Sequence, residues 1–162
     1  MLLRTTDLCD SHPSMVQVAA PIGFKDYGAV KLFSGIIQTV KCFEDNSFVR
    51  TALEQDGTGK VLVVDGGGSM RCALLGDMLG ELAIKNNWNG IVVYGCIRDS
   101  AVIATQQIGV KALATIPLKS NKRNEGQLNV TFKFADVNFT PGGHFLYADE
   151  DGIIVSAEAL SV

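Results

Sequence analysis

The feature that most constrains the fold is a pair of short, continuous apolar runs, each of which ends in glycine. They are KVLVVDGGG, residues 60–68, and NGIVVYG, residues 89–95. A run of about four to eight mostly apolar residues bounded by turn residues is typical of a strand buried on both faces of a parallel sheet. Because parallel strands need a crossover connection, which is usually a helix, the two runs predict an α/β fold.

The surrounding segments alternate between strand and helix patterns. The predicted elements are a strand in FSGIIQTVKCF (33–43), a helix in NSFVRTALEQDGTG (46–59), a short helix in SAVIATQQIG (100–109) and a third buried strand in VKALATIPL (110–118). Between the two central runs, residues 69–87 have a helical period that Gly76 interrupts. Since glycine costs about 1 kcal/mol inside a helix, this segment predicts two consecutive helices that meet at Gly76-Asp77, with Asp77 as the N-cap of the second.

The C-terminal part of the sequence has a different pattern. Residues 127–157 alternate over short runs, with turn residues at Pro141–Gly143 and Asp149–Gly152, which predicts antiparallel strands or hairpins. The sequence has no repeat and no long linker, and 162 residues is a common size for one domain. We therefore expect a single domain, residues 1–162, with a central sheet flanked by helices and a β-rich C-terminal part.

Composition and charge exclude several classes of protein. Hydrophobic residues make up 47% of the chain, but no uninterrupted apolar segment reaches the roughly 18 residues that span a bilayer. The N-terminal segment also lacks the pattern of a signal peptide, so we expect a cytoplasmic location and no membrane partner. A net charge of −3 without a Lys/Arg stripe argues against direct nucleic-acid binding. The basic cluster KSNKR, residues 119–123, is interpreted as a solvated loop.

Two further patterns do not indicate a metal site, a disulfide framework or a nucleotide site. No CxxC pair occurs among the four cysteines, so the sequence predicts free, mostly buried thiols at Cys9, Cys42, Cys72 and Cys96. The segment DGGGSM, residues 65–70, lacks the Gly-Lys-Ser/Thr of a phosphate loop and the full spacing of a dinucleotide fingerprint. It therefore predicts tight packing between a strand and a helix in preference to nucleotide binding.

Arg98-Asp99 follows the second apolar run, where the strand is expected to end. Open α/β sheets usually hold their ligands at the carboxyl ends of such strands. An aspartate supplies a hard oxygen to Mg²⁺, and an arginine can fork onto an oxyanion, so the pair could hold and polarise an α-keto acid. Taken alone, the two residues also fit a surface arginine and an aspartate that caps the next helix.

The turn Gly76-Asp77-Met78-Leu79 predicts a second part of the same site. If a helix begins here, the N–H groups of Met78 and Leu79 have no helical partner, and such helix starts attract carboxylates or phosphates. The alternative is that Asp77 caps a purely structural helix and the N–H groups contact water.

Together, Asp77 and Arg98-Asp99 form an Asp-x20-Arg-Asp pattern, preceded by Gly76 and followed by Leu79. With this pattern, and with QTVKCFEDN, GKVLVVDGGGS, RCALLGD, GIVVYG, IGVKALATIP and LYADEDGIIVS, the sequence resembles the family of 4-hydroxy-4-methyl-2-oxoglutarate aldolases and the regulator of ribonuclease E activity A, or RraA-like family. The resemblance covers nearly the whole chain. It implies a swivelling β/β/α-type domain that assembles as a homotrimer, with sites near the subunit boundaries.

The resemblance also implies a role for each site residue. It places a divalent cation, Mg²⁺ or Mn²⁺, on Asp99 and the substrate carbonyl and carboxylate on Arg98. The backbone amides of the Gly76-Asp77-Met78-Leu79 turn would surround the pyruvyl carboxylate, and Asp77 would orient a metal-bound water that donates and accepts protons. An acidic residue that longer aldolases receive from a neighbouring subunit has no matching position in this chain.

Two functions follow from the resemblance. The first is a metal-dependent aldolase that cleaves 4-hydroxy-4-methyl-2-oxoglutarate and related 4-hydroxy-2-oxo acids to pyruvate, with oxaloacetate decarboxylation as a secondary activity through the same enolate. The second is a regulator that binds and inhibits ribonuclease E. The intact Asp-x20-Arg-Asp pattern favours the aldolase. A methyltransferase that uses VVDGGGS is a third interpretation, which the rest of a nucleotide-binding fingerprint does not support.

Overall fold

The computed structural model describes residues 3–161, which form a mixed α/β domain on one large sheet. Its helices are α1 (Thr5–Ser11), α2 (Ser47–Leu53), α3 (Asp77–Lys85) and α4 (Ser100–Ile103). The strands are β1 (Val16–Val18), β2 (Lys25–Asp26), β3 (Phe33–Lys41), β4 (Lys60–Asp65), β5 (Ala73–Leu75), β6 (Gly90–Ile97), β7 (Gly109–Thr115), β8 (Gln127–Leu128), β9 (Phe132–Phe134), β10 (Val137–Phe139), β11 (Phe145–Asp149) and β12 (Gly152–Ser156). The predicted α/β class is confirmed.

The large sheet has a parallel centre and antiparallel margins. Its strand order is β1-β12-β11-β3-β4-β6-β7-β2, and the neighbours among β3, β4, β6 and β7 are parallel. β5 pairs with the end of β6, and β8 pairs with the end of β3. Because the four central strands run in the same direction, their carboxyl ends meet along one side of the sheet, which we call the carboxyl edge.

The apolar runs form the predicted doubly buried strands. Val61–Val64 in β4 and Ile91–Val93 in β6 are completely buried, because alternate side chains point to opposite faces and both faces are covered. Helices α2 and α3 cover one face through apolar side chains that include Val49, Leu53, Leu79 and Ala83. The resulting core fixes the start of α3 relative to the end of β6.

The opposite face is covered by the β9–β10 hairpin, which forms a separate two-stranded sheet. Its inward side chains build an aromatic cluster in which the Phe134 and Phe139 ring centroids lie 4.3 Å apart. The β11–β12 hairpin turns at Asp149–Gly152, and its strand β11 pairs antiparallel with β3. The expected β-rich C-terminal part is therefore confirmed, and the layers follow the order β/β/α.

The structure corrects the prediction for residues 69–76. Two consecutive helices were expected to meet at Gly76-Asp77, but the first is absent: a loop leads into β5, which pairs in parallel with Cys96 and Ile97. Residues 73–75 are all buried, so tertiary pairing at the end of β6 outweighs the local helical period. In addition, Gly76 occupies the N-cap position of α3, and Asp77 is the first helical residue.

Two smaller corrections concern the glycine loop and α4. DGGGSM does not join a strand to a helix, because the segment after Gly66–Gly68 leads to β5. Helix α4 is also shorter than predicted and ends at Ile103. Among residues 3–161, no helix has the length and apolar character needed to cross a membrane.

The cysteines behave as expected from the sequence. All four are free, and Cys42, Cys72 and Cys96 are buried. Burial raises the pKa of the Cys42 thiol to about 12 and also raises the pKa of Cys72 and of Cys96. These thiols are therefore protonated at neutral pH and are poor nucleophiles.

Candidate functional site

Four loops that follow strands β3, β5, β6 and β7 meet at the carboxyl edge and line a cleft that is open to solvent. The loop after β5 carries Gly76-Asp77, and the loop after β6 carries Arg98-Asp99. Although Asp77 and Asp99 are 22 positions apart in the sequence, both line this cleft. The structure thus brings together every residue that the sequence predicted for the site: Gly76, Asp77, Met78, Leu79, Arg98 and Asp99.

The Asp99 carboxylate is directed at the start of α3. The backbone N–H of Asp77 donates a hydrogen bond of 3.1 Å to Asp99 Oδ2. Asp99 itself has a left-handed backbone conformation, with φ 57° and ψ 38°, and its side chain makes no capping hydrogen bond to α4. Asp99 therefore occupies the N-cap position of α4, as the alternative expected, but its carboxylate accepts a hydrogen bond from the helix that begins at Asp77 and not from α4.

Gly76 allows this close approach. A Cβ atom placed on Gly76 would lie 2.7 Å from Asp99 Oδ2 and 3.5 Å from Arg98 Nε. The first distance is too short for a carbon–oxygen contact, so any side chain here would displace the Asp99 carboxylate. The glycine that precedes Asp77 in the sequence pattern thus has a steric explanation.

Two backbone amides at the start of α3 are free to bind an anion. The N–H of Gly80 donates to the Gly76 carbonyl, whereas those of Met78 and Leu79 have no partner among the described residues. Gln106 fixes this helix start, because its Nε2 donates a hydrogen bond of 2.9 Å to the Asp77 carbonyl. The site thus holds two free donors at the positive end of a helix.

Arg98 is held by its backbone, while its side chain remains available. Its N–H donates a 2.9 Å hydrogen bond to the Leu75 carbonyl, which ties the loop after β6 to the end of β5. Within residues 3–161, its half-buried guanidinium forms no salt bridge. A permanently charged fork without a protein partner can bind an oxyanion of a ligand.

The sequence analysis missed three cations that also line the cleft, namely Arg50 on α2 and Lys119 and Lys122 in the loop after β7. The segment KSNKR was interpreted as a solvated loop, yet Lys119 forms a parallel bridge with Ala73 beside Gly76. The sequence did contain a signal for this placement. The segment KSNKR follows a predicted parallel strand, and loops after parallel strands lie at the same edge of the sheet as Arg98-Asp99.

The buried carboxylate of Asp45 anchors the loop after β7. Its Oδ2 accepts hydrogen bonds from the backbone N–H groups of Arg123 and Glu125, at 2.7 and 3.1 Å, and its Oδ1 accepts from the N–H and hydroxyl of Ser47. Burial alone would raise the pKa of Asp45, but these hydrogen bonds lower it to about 2. Asp45 is therefore ionised at neutral pH and joins this loop to the start of α2.

A second low-pKa carboxylate lies beside the cleft, on Glu44. It accepts two hydrogen bonds from the Arg71 guanidinium, at 2.6 and 2.8 Å, and one from the Ser69 hydroxyl. These hydrogen bonds lower the pKa of Glu44 to about 2. Because Glu44 is fully engaged with Arg71 and Ser69, it is a structural group of the glycine loop and is not available to a ligand.

The donor set in the cleft fits a hard divalent cation that keeps most of its waters. Asp77 and Asp99 supply the only carboxylates of the described cleft lining, and Asp99 Oδ1 is not used in any hydrogen bond there. No cluster of three or more His, Cys, Asp or Glu side chains suited to a metal occurs within residues 3–161. Mg²⁺ is commonly bound through one or two carboxylates plus waters and substrate oxygens, whereas a zinc site needs more protein ligands.

Comparison with known protein families gives a match over most of the chain. Residues 5–155 match the RraA-like family, described as Aldolase/RraA. A protein of Aromatoleum aromaticum is 56% identical over 99% of both chains, and one of Pseudomonas aeruginosa strain PAO1 is 59% identical over 98% of this chain and 96% of its own. Both relatives are provisionally named 4-hydroxy-4-methyl-2-oxoglutarate aldolase.

Two solved structures share both the fold and substantial sequence identity. The RNA-processing inhibitor RraA from Thermus thermophilis is 43% identical, with a TM-score of 0.94 over 99% of this chain and 96% of its own. A structure from Geobacillus kaustophilus HTA426, named S-adenosylmethionine:2-dimethylmenaquinone methyltransferase, is 46% identical, with a TM-score of 0.95 over 98% of this chain and 97% of its own. The proteins that this chain resembles in sequence or in structure thus carry three different functional names.

Proposed function

The chain belongs to the RraA-like family, and we propose that it is a divalent-metal-dependent aldolase that cleaves 4-hydroxy-4-methyl-2-oxoglutarate, or a related 4-hydroxy-2-oxo acid, to pyruvate. The observation that carries this proposal is the meeting of Asp99, an unpaired Arg98 and the free amides of α3 in one cleft. These are the groups that an α-keto acid and its enolate need. The names of the relatives at 56–59% identity agree with this chemistry.

Asp99 would hold the cation, and Asp77, which lines the same cleft, would orient a water bound to it. When bound, Mg²⁺ or Mn²⁺ supplies a Lewis acid that withdraws electron density from the substrate's 2-oxo group. The preference for these ions over zinc rests on the hard oxygen donors of the cleft.

The chain's own groups orient the substrate. The amides of Met78 and Leu79 donate hydrogen bonds to its C1 carboxylate, which also gains from the positive end of α3. The Arg98 guanidinium donates to an oxygen of the same carboxylate and to the C2 oxygen, where negative charge develops when the C3–C4 bond breaks. Because Arg98 has no described salt bridge to relinquish, it is ready for this role before the substrate arrives.

Asp77 is the group that moves the proton. Acting through a water, its carboxylate accepts the proton of the C4 hydroxyl, and the electron pair of the C3–C4 bond passes into the enolate of pyruvate. The same proton then returns to C3, which completes the first pyruvate. C4 becomes a carbonyl, so 4-hydroxy-4-methyl-2-oxoglutarate yields two molecules of pyruvate. Oxaloacetate would lose CO₂ through the same enolate, which makes its decarboxylation an expected secondary activity.

A steady-state assay of pyruvate release tests this proposal. We expect turnover with Mg²⁺ or Mn²⁺, loss of turnover in EDTA and recovery when the metal is restored. Oxalate, which imitates the enolate of pyruvate, should inhibit competitively. Full activity after exhaustive chelation would contradict metal dependence. Failure to release pyruvate from either substrate class would contradict the aldolase assignment itself.

Binding to ribonuclease E is a second candidate function, because the RNA-processing inhibitor RraA is 43% identical over nearly the full chain. Such binding would use an acidic outer surface, and the net charge of −3 suits a basic partner. Asp99→Asn should then abolish pyruvate release without weakening the complex, as measured by surface plasmon resonance. If the wild-type chain shows no binding to ribonuclease E at micromolar concentration, this candidate is wrong.

The methyltransferase name of the Geobacillus structure has less support in this chain. A dinucleotide-type fingerprint needs a strand, a glycine turn and a helix whose start meets the phosphates. Here the turn at Gly66–Gly68 leads to β5, and Glu44 and Arg71 occupy the adjoining surface. We do not assign methyl transfer to this cleft.

The quaternary structure is also a proposal. We propose that residues 1–162 form one RraA-like domain and that three copies associate, as the family resemblance implies. Analytical ultracentrifugation would give three chain masses if this is right and one or two if it is not.

A further inference from the structure

Both hydrogen-bonding groups of the Asp77 backbone are held by side chains from one short segment, residues 99–106. The N–H of Asp77 donates to Asp99 Oδ2 at 3.1 Å, and its carbonyl accepts from Gln106 Nε2 at 2.9 Å. Asp99 is accounted for by the cation that it is proposed to hold. Gln106 is not among the described residues that line the cleft, so the proposed reaction leaves its role open.

Gln106 belongs to a firmly held part of the chain. It is 7% exposed, and its backbone N–H donates a 3.0 Å hydrogen bond to the carbonyl of Ile103, a residue that is completely buried. Its own carbonyl accepts hydrogen bonds from the N–H groups of Ala29 and Ile108, at 3.0 and 2.8 Å. Because three hydrogen bonds hold its backbone, the Gln106 amide can hold the start of α3 in one position.

The Gln106 amide is not explained by packing alone. Within residues 3–161, its Oε1 is buried and has no hydrogen-bond partner, and an unpaired buried acceptor destabilises a fold. Asp77 is the first residue of α3, so its carbonyl already has the N–H four residues later as its ordinary helical partner. An apolar side chain of similar size would fill the same space and leave no buried acceptor unpaired.

The hydrogen bond from Gln106 acts on the peptide group that joins Asp77 to Met78. In a planar trans peptide the C=O and N–H point in opposite directions, so a donor that fixes the Asp77 carbonyl also fixes the direction of the Met78 N–H. A hydrogen bond to the carbonyl oxygen also polarises the peptide and makes its N–H a stronger donor. The Met78 N–H is one of the two free donors at the start of α3, where helices fray.

We propose that Gln106 is a positioning residue for the anion site, because it orients and strengthens the Met78 N–H that binds the substrate's C1 carboxylate. This inference rests on the proposed function for the placement of that carboxylate at α3. The C1 carboxylate keeps its charge from the substrate to the enolate, so the contact stabilises both states to a similar extent. Loss of the Gln106 donor should therefore raise KM and leave kcat nearly unchanged.

Equilibrium binding of oxalate in Mg²⁺ tests this role without requiring turnover. Gln106→Met keeps a side chain of similar size and removes the donor, so calorimetry should show an oxalate affinity about three- to tenfold below wild type, the range expected for weakening one hydrogen bond. Gln107→Met, the same substitution at the exposed neighbouring residue, is the matched control and should bind as wild type does. Wild-type affinity in Gln106→Met, or no oxalate binding by the wild-type chain at millimolar concentration, would overturn the inference.

Gly80→Ala disturbs the same amide from the side of α3. A Cβ atom placed on Gly80 would overlap Gln106 Oε1, so the amide must move, although alanine favours a helix more than glycine does. The oxalate affinity should fall in this variant too. The double variant should bind oxalate about as well as Gln106→Met alone, because the two changes remove the same contact. Losses that multiply in the double variant would show two independent structural effects and overturn the inference.

The oxalate titration separates this inference from the proposed reaction. If the affinity falls in Gln106→Met although the wild-type chain releases no pyruvate, the positioning role stands and the aldolase reaction is wrong. If pyruvate is released but Gln106→Met changes neither the oxalate affinity nor KM, the reaction stands and the positioning role is wrong.

Discussion

Oδ2 of Asp99 lies 3.1 Å from the backbone nitrogen of Asp77, so the loop after β6 is hydrogen-bonded to the first residue of α3. This contact links the residue proposed to hold the cation to the residue proposed to move the proton. It also places the Asp99 carboxylate at the start of α3, beside the unpaired N–H groups of Met78 and Leu79. The geometry of the proposed reaction therefore depends on the fit between these two loops.

Gly76→Ala should disturb this contact with little effect elsewhere. The new methyl group would lie 2.7 Å from Asp99 Oδ2, so the carboxylate must move. Because displacements of about 1 Å can cost about 100-fold in rate, we expect pyruvate release to fall at least roughly tenfold. Gly143→Ala is the control, since a Cβ there meets nothing within 4 Å. Equal activity of both variants in a kcat/KM assay would contradict the proposed role of the contact.

Arg98→Lys should show that the site needs a guanidinium and not only a positive charge. An ammonium cannot reproduce the two-pronged hydrogen bonding to the enolate and carboxylate oxygens, so kcat should fall by roughly 100-fold. Circular dichroism should remain native, because the Arg98 backbone N–H still bonds to Leu75. Arg4→Lys, at an exposed ion pair with Glu150, serves as the control. A variant with near-normal kcat/KM would make Arg98 an ordinary surface cation.

Much of the site could be predicted from the sequence because its residues follow recognisable strands. The apolar runs located β4 and β6, and the carboxyl-end rule then placed Arg98-Asp99 correctly at the cleft. The structure of residues 69–75 was harder to predict. This segment has a helical periodicity, and β5 forms a strand only because it pairs with β6. The placement of Lys119 and Lys122 at the cleft involves a hydrogen bond from Arg123 in their loop to Asp45, 78 positions earlier, and no local pattern reveals such a contact.

Asp45→Asn should loosen the loop after β7 and change the pH dependence of stability. The carboxamide would place an N–H₂ group against the N–H donors now bound to the carboxylate, and unpaired buried donors cost about 1–3 kcal/mol each. The pKa of Asp45 is about 2 in the folded wild-type chain, compared with the ordinary value of 3.8 expected for the unfolded chain. The ionised group therefore stabilises the fold above about pH 4, and this contribution is lost as the pH falls from 3.8 towards 2.

Urea unfolding at several pH values measures both effects. The Asp45→Asn variant should be less stable than wild type at pH 7, and the difference should shrink below pH 4. Asp56→Asn is the control, because Asp56 accepts similar hydrogen bonds from Thr58 in an exposed turn and should lose less stability. Equal unfolding midpoints for wild type and Asp45→Asn at pH 7 would remove Asp45 as the anchor of the loop.

Asp99→Asn gives the most direct test of the proposed metal-dependent aldolase. Asparagine tolerates the left-handed backbone at this position and can still accept the Asp77 N–H, so the fold and the contact should survive while the charge that holds the cation is lost. The decisive measurement is kcat/KM for pyruvate release from 4-hydroxy-4-methyl-2-oxoglutarate in saturating Mg²⁺. We predict a loss of at least about 100-fold relative to wild type, with an unchanged circular dichroism spectrum. A folded variant that retains activity within threefold of wild type would contradict the account.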